Sequence, residues 1–242
     1  MYKDILISIV IPAYNEGHRI ASTLKKIHEY FKDKKFKYEV IVVDDGSIDN
    51  TVRIVEENSG LFENIVLIEN GENMGKGYSV REGMIEASGD LRLFMDADSS
   101  VDIKTLDLFV KYIKTGADII IGSIEVGGSS NVDENHWYRR VLGKISKTLI
   151  RLIATPGIYD TQRGFKLFTR DASKIVFDRQ TIDRWGFDIE IIVIALQHNL
   201  NIKELPVTWI NSRTSSVHLG SYFTTLFELF KILSQSLMGK YK

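Results

Sequence analysis

A chain of 242 residues with 44% hydrophobic and 26% charged side chains has the material for one well-filled core, which excludes a disordered chain. Its formal net charge of −1 offers no basic surplus to attract nucleic acid. It contains no cysteine, so disulfides and thiolate metal sites are excluded, as suits a reducing compartment. The opening MYKDILISIVIP is apolar for too short a run to be a cleaved signal peptide, and no segment reaches the ~18 apolar residues of a membrane-spanning helix. The expected location is cytoplasmic, either soluble or peripheral on the membrane face.

Along the chain, β-branched runs at 5–11, 39–43, 64–68, 91–95 and 118–121 predict strands. The stretches between them, near 17–32, 49–58, 76–88 and 102–114, carry helical spacing. This alternation predicts an α/β fold with a mainly parallel sheet flanked by helices, because strands buried on both faces read as continuous apolar runs. Beyond residue 122 the pattern loosens. A Gly/Ser/Asn stretch at 127–135 predicts a loop, 137–154 a helix, Pro156-Gly157 a turn, 184–198 a helix, 204–210 a strand and 221–238 an amphipathic helix.

Polar clusters fall where the strands end: PAYNE (12–16), DDGSIDNT (44–51), NGENMGKG (70–77) and DADSS (96–100). In parallel sheets that carboxyl edge is where ligands bind. Asp96 and Asp98 stand two residues apart, and extended backbone projects both to one side. Paired carboxylates repel unless a cation compensates, and Mg²⁺ or Mn²⁺ takes one or two carboxylates together with substrate phosphates. Asp49 reads as a helix cap, leaving Asp45, and after it Asp44, as ligand-binding acids. Lys76 lies between Gly75 and Gly77 at a predicted helix start, with Arg81 one turn on. Glycines there would let backbone approach an anion.

In the second half Arg140, Lys144, Lys147 and Arg151 follow helical spacing beside an apolar band. The 221–238 stretch is rich in aromatics and is followed by Lys240 and Lys242. Both read either as ordinary surface or core helices or as helices lying on an anionic membrane surface, and the basic one alternatively as a phosphate holder. Asp188 and Glu190 are candidate acids that point to different faces of a helix, so at most one faces a cleft. The five histidines show no metal-ligand spacing, and no serine sits in a nucleophile elbow.

PAYNE, VDDGSIDNT, N-x-GKG and DADSS, in that order and spacing, resemble the family-2 glycosyltransferases of GT-A fold. DTQRGFKLF, RWGFDIE and ELPVTW are similar to the dolichyl-phosphate β-glucosyltransferases and polyprenyl-phosphate hexosyltransferases within that family. The resemblance implies that Pro12, Tyr14, Glu16, Asp44 and Asp45 surround the nucleotide of a nucleotide-sugar. Lys76, Arg81 and Asp96 would stand by the donor, and Asp96 and Asp98 would hold Mg²⁺ or Mn²⁺. It places Gln162, Arg184 and Trp185 on the acceptor side, and Asp98, Asp188 and Glu190 among the catalytic residues. Two positions depart from the family: Ile124 stands where an arginine is usual, and Arg163 where a cysteine is common. Arg139 or Arg140 would supply the cation missing at 124. The branch's eukaryotic members also carry an N-terminal membrane anchor that is not seen here.

The implied organisation is a catalytic domain over 1–220, with a nucleotide-sugar half (1–122) and an acceptor half (123–220), followed by a C-terminal amphipathic helix (221–242). The implied activity is inverting transfer of a hexose, glucose from UDP-glucose, onto a dolichyl or polyprenyl phosphate, with membrane-surface contact. A family-2 enzyme acting on a sugar hydroxyl, and a non-catalytic nucleotide-sugar-binding subunit, are the alternatives.

Overall fold

The computed structural model describes residues 5–34, 36–132, 148–210 and 219–242. Strand β1 (Leu6–Ala13) leads through helix α1 (Ile20–Lys32) to β2 (Lys37–Asp44), then α2 (Thr51–Asn58), β3 (Ile65–Glu69), α3 (Lys76–Glu86), β4 (Leu91–Met95), α4 (Leu106–Ile113) and β5 (Ile119–Ser123). The predicted elements of the first half are all present, their ends shifted by a few residues. The predicted helix at 102–114 opens with a single 3-10 turn, Ile103–Thr105, capped by the Asp102 carboxylate.

The second half holds what the sequence reading did not resolve. After β6 (Ser130–Val132), strand β7 (Phe165–Thr169) runs antiparallel between β4 and β5, and α5 (Arg170–Phe177) follows it. Neither was predicted, although Thr169 caps α5 by accepting from the Ala172 N–H at 3.3 Å, a short-range helix-start signal. Helix α6 (Phe187–Gln197) is apolar almost all round and nearly wholly buried, as such a helix must be. The predicted strand 204–210 divides into β8 (Ile202–Pro206), paired with β5, and β9 (Thr208–Ile210), paired with β6. Pro206 has no N–H with which to continue a ladder, and the chain changes sheets there. Of the predicted helix at 137–154, residues 148–153 are helical and 137–147 lie outside the described residues. Helix α7 (Leu219–Leu237) closes the chain.

The main sheet has the order β3-β2-β1-β4-β7-β5-β8, with only β7 antiparallel. Side chains alternate between its faces with period two. Ile9, Ile11, Val40 and Val42 join the core under α1 and α4, while Val10, Ile41 and Val43 join the core under α3, α5 and α6. The chain steps outward from β1 to β3 and returns to β4 on the other side of β1, so the winding reverses between β1 and β4. That reversal opens a crevice at the carboxyl ends of both strands.

Helix α7 is tied to α6 by Glu228, whose carboxylate accepts from the Gly186 N–H at 2.7 Å. Burial pushes the Glu228 carboxyl above its ordinary 4.5, more than the Gly186 N–H and Lys231 lower it. A raised acid contributes stability that is complete below the unfolded value and fades as pH rises through the folded one. Glu228→Gln is therefore expected to flatten the fall of melting temperature with pH just above 4.5, as measured by calorimetry across pH 4–7.

Candidate active site

The crevice is walled first by the loops after β1 and β2, which clamp each other. Asn15 N–H donates to Ser47 Oγ (2.9 Å), Glu16 N–H to Thr51 Oγ1 (2.9 Å), and Gly17 N–H to Asp49 Oδ2 (3.1 Å). Asp49 also accepts from the Thr51 N–H at 2.9 Å, so its role is structural, as the sequence suggested: it meets the first N–H of α2 and also joins the two loops. Pro12 is buried in β1, Tyr14 stands exposed at the lip, and Glu16 is held by Arg19 at 2.6 Å. Burial raises the Glu16 carboxyl; Arg19 opposes this and Asp98 adds to it, which places Glu16 within reach of the Asp98 charge.

The two adjacent acids at the end of β2 exchange the ranks the sequence gave them. Asp45 accepts from the N–H groups of Met74 (3.0 Å) and Gly75 (3.0 Å), from Asn70 Nδ2 (3.1 Å) and from Ser79 Oγ (3.0 Å). Its carboxylate is the anion seated at the start of α3 and acts as a structural brace, with Oδ1 taking most of these donors and Oδ2 only the Gly75 N–H. Asp44 accepts from the Ser47 N–H with Oδ2 at 2.9 Å, while its Oδ1 is buried and unpaired. A buried carboxylate oxygen without a donor is costly, and a base N–H or ribose hydroxyl arriving in the crevice would satisfy it.

The flanking glycines of GKG also serve a different purpose from the one read in the sequence. A Cβ on Gly75 would lie 2.4 Å from the Asp183 carbonyl oxygen, and one on Gly77 would lie 2.5 Å from that of Ile182. They make room for the 182–183 turn rather than for an anion. Arg81 likewise bonds Asp183 (3.0 Å) and the Gln180 carbonyl (3.3 Å), joining α3 to that turn. Lys76 alone of this group enters the crevice, where its ammonium lies 2.6 Å from Asp96 Oδ1 and over the rings of Phe94 and Trp185. Burial lowers the Lys76 pKa, but Asp96 and Asp188 outweigh it, so the side chain remains a cation.

Asp96 and Asp98 occupy a tight turn and not the extended backbone expected. Ser99 N–H closes the turn on the Asp96 carbonyl (3.3 Å), with Ser99 at φ 52°. Thr23 of α1 fixes the turn from beneath, donating to the Ala97 carbonyl at 2.6 Å. Asp98 Oδ1 accepts from the Ser100 N–H at 2.9 Å. From the other side, Gly164 accepts from the Asp96 N–H (3.0 Å), and a Cβ at Gly164 would fall 2.1 Å from the Asp96 carboxylate. The RGF stretch before β7 is thus packed directly on the acid pair, a contact no sequence spacing reveals.

Beyond Asp96, buried Asp188 at the start of α6 is bonded to Lys166 Nζ, itself wholly buried on β7. Burial pushes the Asp188 carboxyl up, and Lys166 and Lys76 pull it back. Lys166 escaped sequence reasoning, although a lysine inside the apolar strand FKLF is a signal in itself. Glu190 faces away from the crevice. It accepts from the Thr181 N–H (3.0 Å), the Ile182 N–H (2.8 Å) and the Tyr241 hydroxyl (2.8 Å). The catalytic role expected of Glu190 is corrected to anchoring the chain terminus and the 181–182 turn. Trp185 is half-exposed over Lys76, Arg184 reaches Asn73 (3.4 Å), and Gln162 is exposed. Arg139 and Arg140 lie outside the described residues.

Among the described residues no group of three His, Cys, Asp or Glu side chains converges as a protein-only metal cage. Asp96 and Asp98 nevertheless suit a hard divalent cation that draws its remaining ligands from a substrate diphosphate. Their turn is braced from both sides, and Asp96 already draws a cation, Lys76, to 2.6 Å.

Residues 8–177 match the family model described as glycosyl transferase family 2. The chain belongs to that family. It is 34% identical over 239 residues to a dolichyl-phosphate beta-glucosyltransferase of Trichomonas vaginalis, covering 95% of this chain and 73% of the relative. A protein of the same description from Saccharomyces cerevisiae is 33% identical over 225 residues, covering 86% and 67%. A glucosyl-3-phosphoglycerate synthase from Mycobacterium tuberculosis, solved with Mn²⁺, UDP-glucose and phosphoglyceric acid, has the same fold. That structure gives a TM-score of 0.71 at 18% identity, with 96% and 80% covered. As a family-2 glycosyltransferase, the protein has a GT-A-like sheet whose carboxyl-edge crevice is the candidate donor site.

Proposed function

We propose that the protein transfers glucose from UDP-glucose to a dolichyl or polyprenyl phosphate with inversion at the anomeric carbon. The observation that carries this reading is the state of the acids on the acceptor side. Asp188 is bound to Lys166, Glu190 to backbone N–H groups and Tyr241, Asp160 to Arg163, and Glu204 to the N–H groups of Tyr159 and Asp160. Among the described residues, each of these four is committed within the protein and would have to give up a partner to take a proton from an acceptor hydroxyl. A phosphate monoester needs no such base, since its second pKa of about 6 leaves it largely a dianion at neutral pH. Relatives named dolichyl-phosphate beta-glucosyltransferase support the same acceptor class.

A Mg²⁺ or Mn²⁺ held by Asp96 and Asp98 would supply charge neutralisation to the departing diphosphate. Lys76, held beside Asp96, adds a fixed ammonium on the same side, and the Asp44 oxygen awaits a donor from the nucleoside. The acceptor oxygen bonds to C1 while the C1–O bond to the diphosphate breaks, and its electron pair leaves with UDP.

Contact with a membrane surface completes this reading. Among the described residues no helix is long and apolar enough to cross a membrane. Helix α7 and the residues just after it instead expose Phe227, Phe230, Leu237 and Met238, and the helical residues 148–153 expose Leu152 and Ile153. Sedimentation with anionic liposomes should recover the protein at low salt and release it progressively as salt rises.

The donor is tested with UDP-glucose, UDP-N-acetylglucosamine and GDP-mannose, each offered with a short polyprenyl phosphate with and without EDTA. UDP-glucose is expected to give an acid-labile lipid product that EDTA abolishes and Mn²⁺ or Mg²⁺ restores. Preference for another donor, or full turnover in EDTA, would contradict the assignment.

A further inference from the structure

A second cation stands beside the acid pair's neighbouring cleft, against the indole that walls it. Met95, Asp96, Ser100, Gly164 and Trp209 line a small cleft that runs from the acid pair to the indole of β9. Over the Trp209 ring, 4.6 Å from its centroid, lies the guanidinium of Arg163. Its Nε donates to Asp160 Oδ2 at 3.0 Å, and the same oxygen accepts the Ile124 N–H at 3.2 Å. Asp160 is wholly buried and is itself fixed through its N–H to Glu204 (2.8 Å).

This is a guanidinium locked on one edge by a buried carboxylate and on one face by an indole. Of its five N–H donors, Asp160 uses the one on Nε, and among the described residues no carboxylate or carbonyl takes the terminal nitrogens. Such a planar fork, held rigid with its terminal donors uncommitted, suits bidentate capture of a phosphate. Arg163 immediately precedes Gly164, the residue whose carbonyl receives the Asp96 N–H, and its guanidinium covers Trp209, which lines the cleft together with Asp96.

We propose that Arg163, oriented by Asp160 and Trp209, binds the phosphate of the acceptor, a role the sequence reading gave to Arg139 or Arg140. The assignment rests on the lipid-phosphate reading above and names the contact that reading lacks. It also places Arg163 beside the position of the other departure, since the Asp160 oxygen that holds it also accepts the Ile124 backbone N–H.

The test compares Arg163→Gln and Arg163→Lys in full-length protein, with UDP-glucose as donor and farnesyl phosphate as acceptor. Arg163→Gln is expected to raise the acceptor KM by roughly 10- to 100-fold, the scale of a lost charge-assisted pair, and to leave the donor KM and UDP binding within about twofold. Arg163→Lys should fall between, since it keeps the charge and loses the fork. An unchanged acceptor KM, or equal loss toward donor and acceptor, would overturn the assignment. Should removal of the Asp160 partner prevent folding, wild-type protein treated with phenylglyoxal answers the same question. Farnesyl phosphate, and not UDP, should protect Arg163 from modification as read by peptide mass spectrometry; equal labelling would overturn it. Wild-type protein that glucosylates no phosphate acceptor sinks both readings, whereas an active wild type with an indifferent Arg163 sinks this one alone.

Discussion

Lys166→Met is expected to lower the free energy of unfolding by about 3–5 kcal/mol, read from urea denaturation at neutral pH. Lys166 is wholly buried on β7 and its ammonium is shared between the Arg163 carbonyl and the Asp188 carboxylate, also buried. Removing the ammonium leaves the buried Asp188 without its bonded partner, with only Lys76 of the crevice left to offset its charge. Part of the loss is recoverable by protonation, so the variant should be relatively more stable at acid pH than the wild type is. A companion change of Asp188 to leucine should restore much of the stability, because an apolar pair of similar volume avoids the stranded charge. If Lys166→Met unfolds at the wild-type urea concentration, the ion pair is not buried as described.

Gly164→Ala is expected to reduce turnover by on the order of 100-fold, the cost of moving a reacting group by about 1 Å. The added methyl carbon would fall 2.1–2.2 Å from all three atoms of the Asp96 carboxyl group, far inside contact distance. The carboxylate can swing away because it is partly exposed, with the side chain 31% accessible, so the fold should survive while the site is distorted. Lys76 would lose its 2.6 Å partner and a divalent cation one ligand. The measurement is steady-state kinetics beside a melting curve. A large fall in kcat with a small change in Tm supports the packing of RGF against the acid pair, and unchanged kcat denies it.

The first half of the chain was legible because its strands are buried on both faces and write themselves as uninterrupted apolar runs. The loops between them carry the acids and glycines that mark a carboxyl edge. What those loops do to one another was not legible. Asp44 and Asp45 are adjacent and identical in type, yet only tertiary contact shows that Asp45 is consumed by the start of α3 while Asp44 retains an unpaired oxygen. The same holds for Asp188 and Glu190: helical spacing separated their faces, and the fold decided which face met the crevice. Strand β7 was missed because its apolar run is broken by Lys166, and a buried lysine is acceptable only where a partner such as Asp188 arrives from a distant helix. Helix α5 followed it out of sight, although Thr169 announces it.

The proposed transfer requires an acceptor that enters already charged. Its most direct test offers labelled UDP-glucose to the protein with polyprenyl phosphate and, in parallel, with the matching polyprenol and with simple sugar acceptors. Label is expected in an acid-labile glucosyl phosphate lipid from the phosphate alone, with one UDP released per glucose transferred. Transfer to the alcohol or to a sugar hydroxyl, with none to the phosphate, would contradict it.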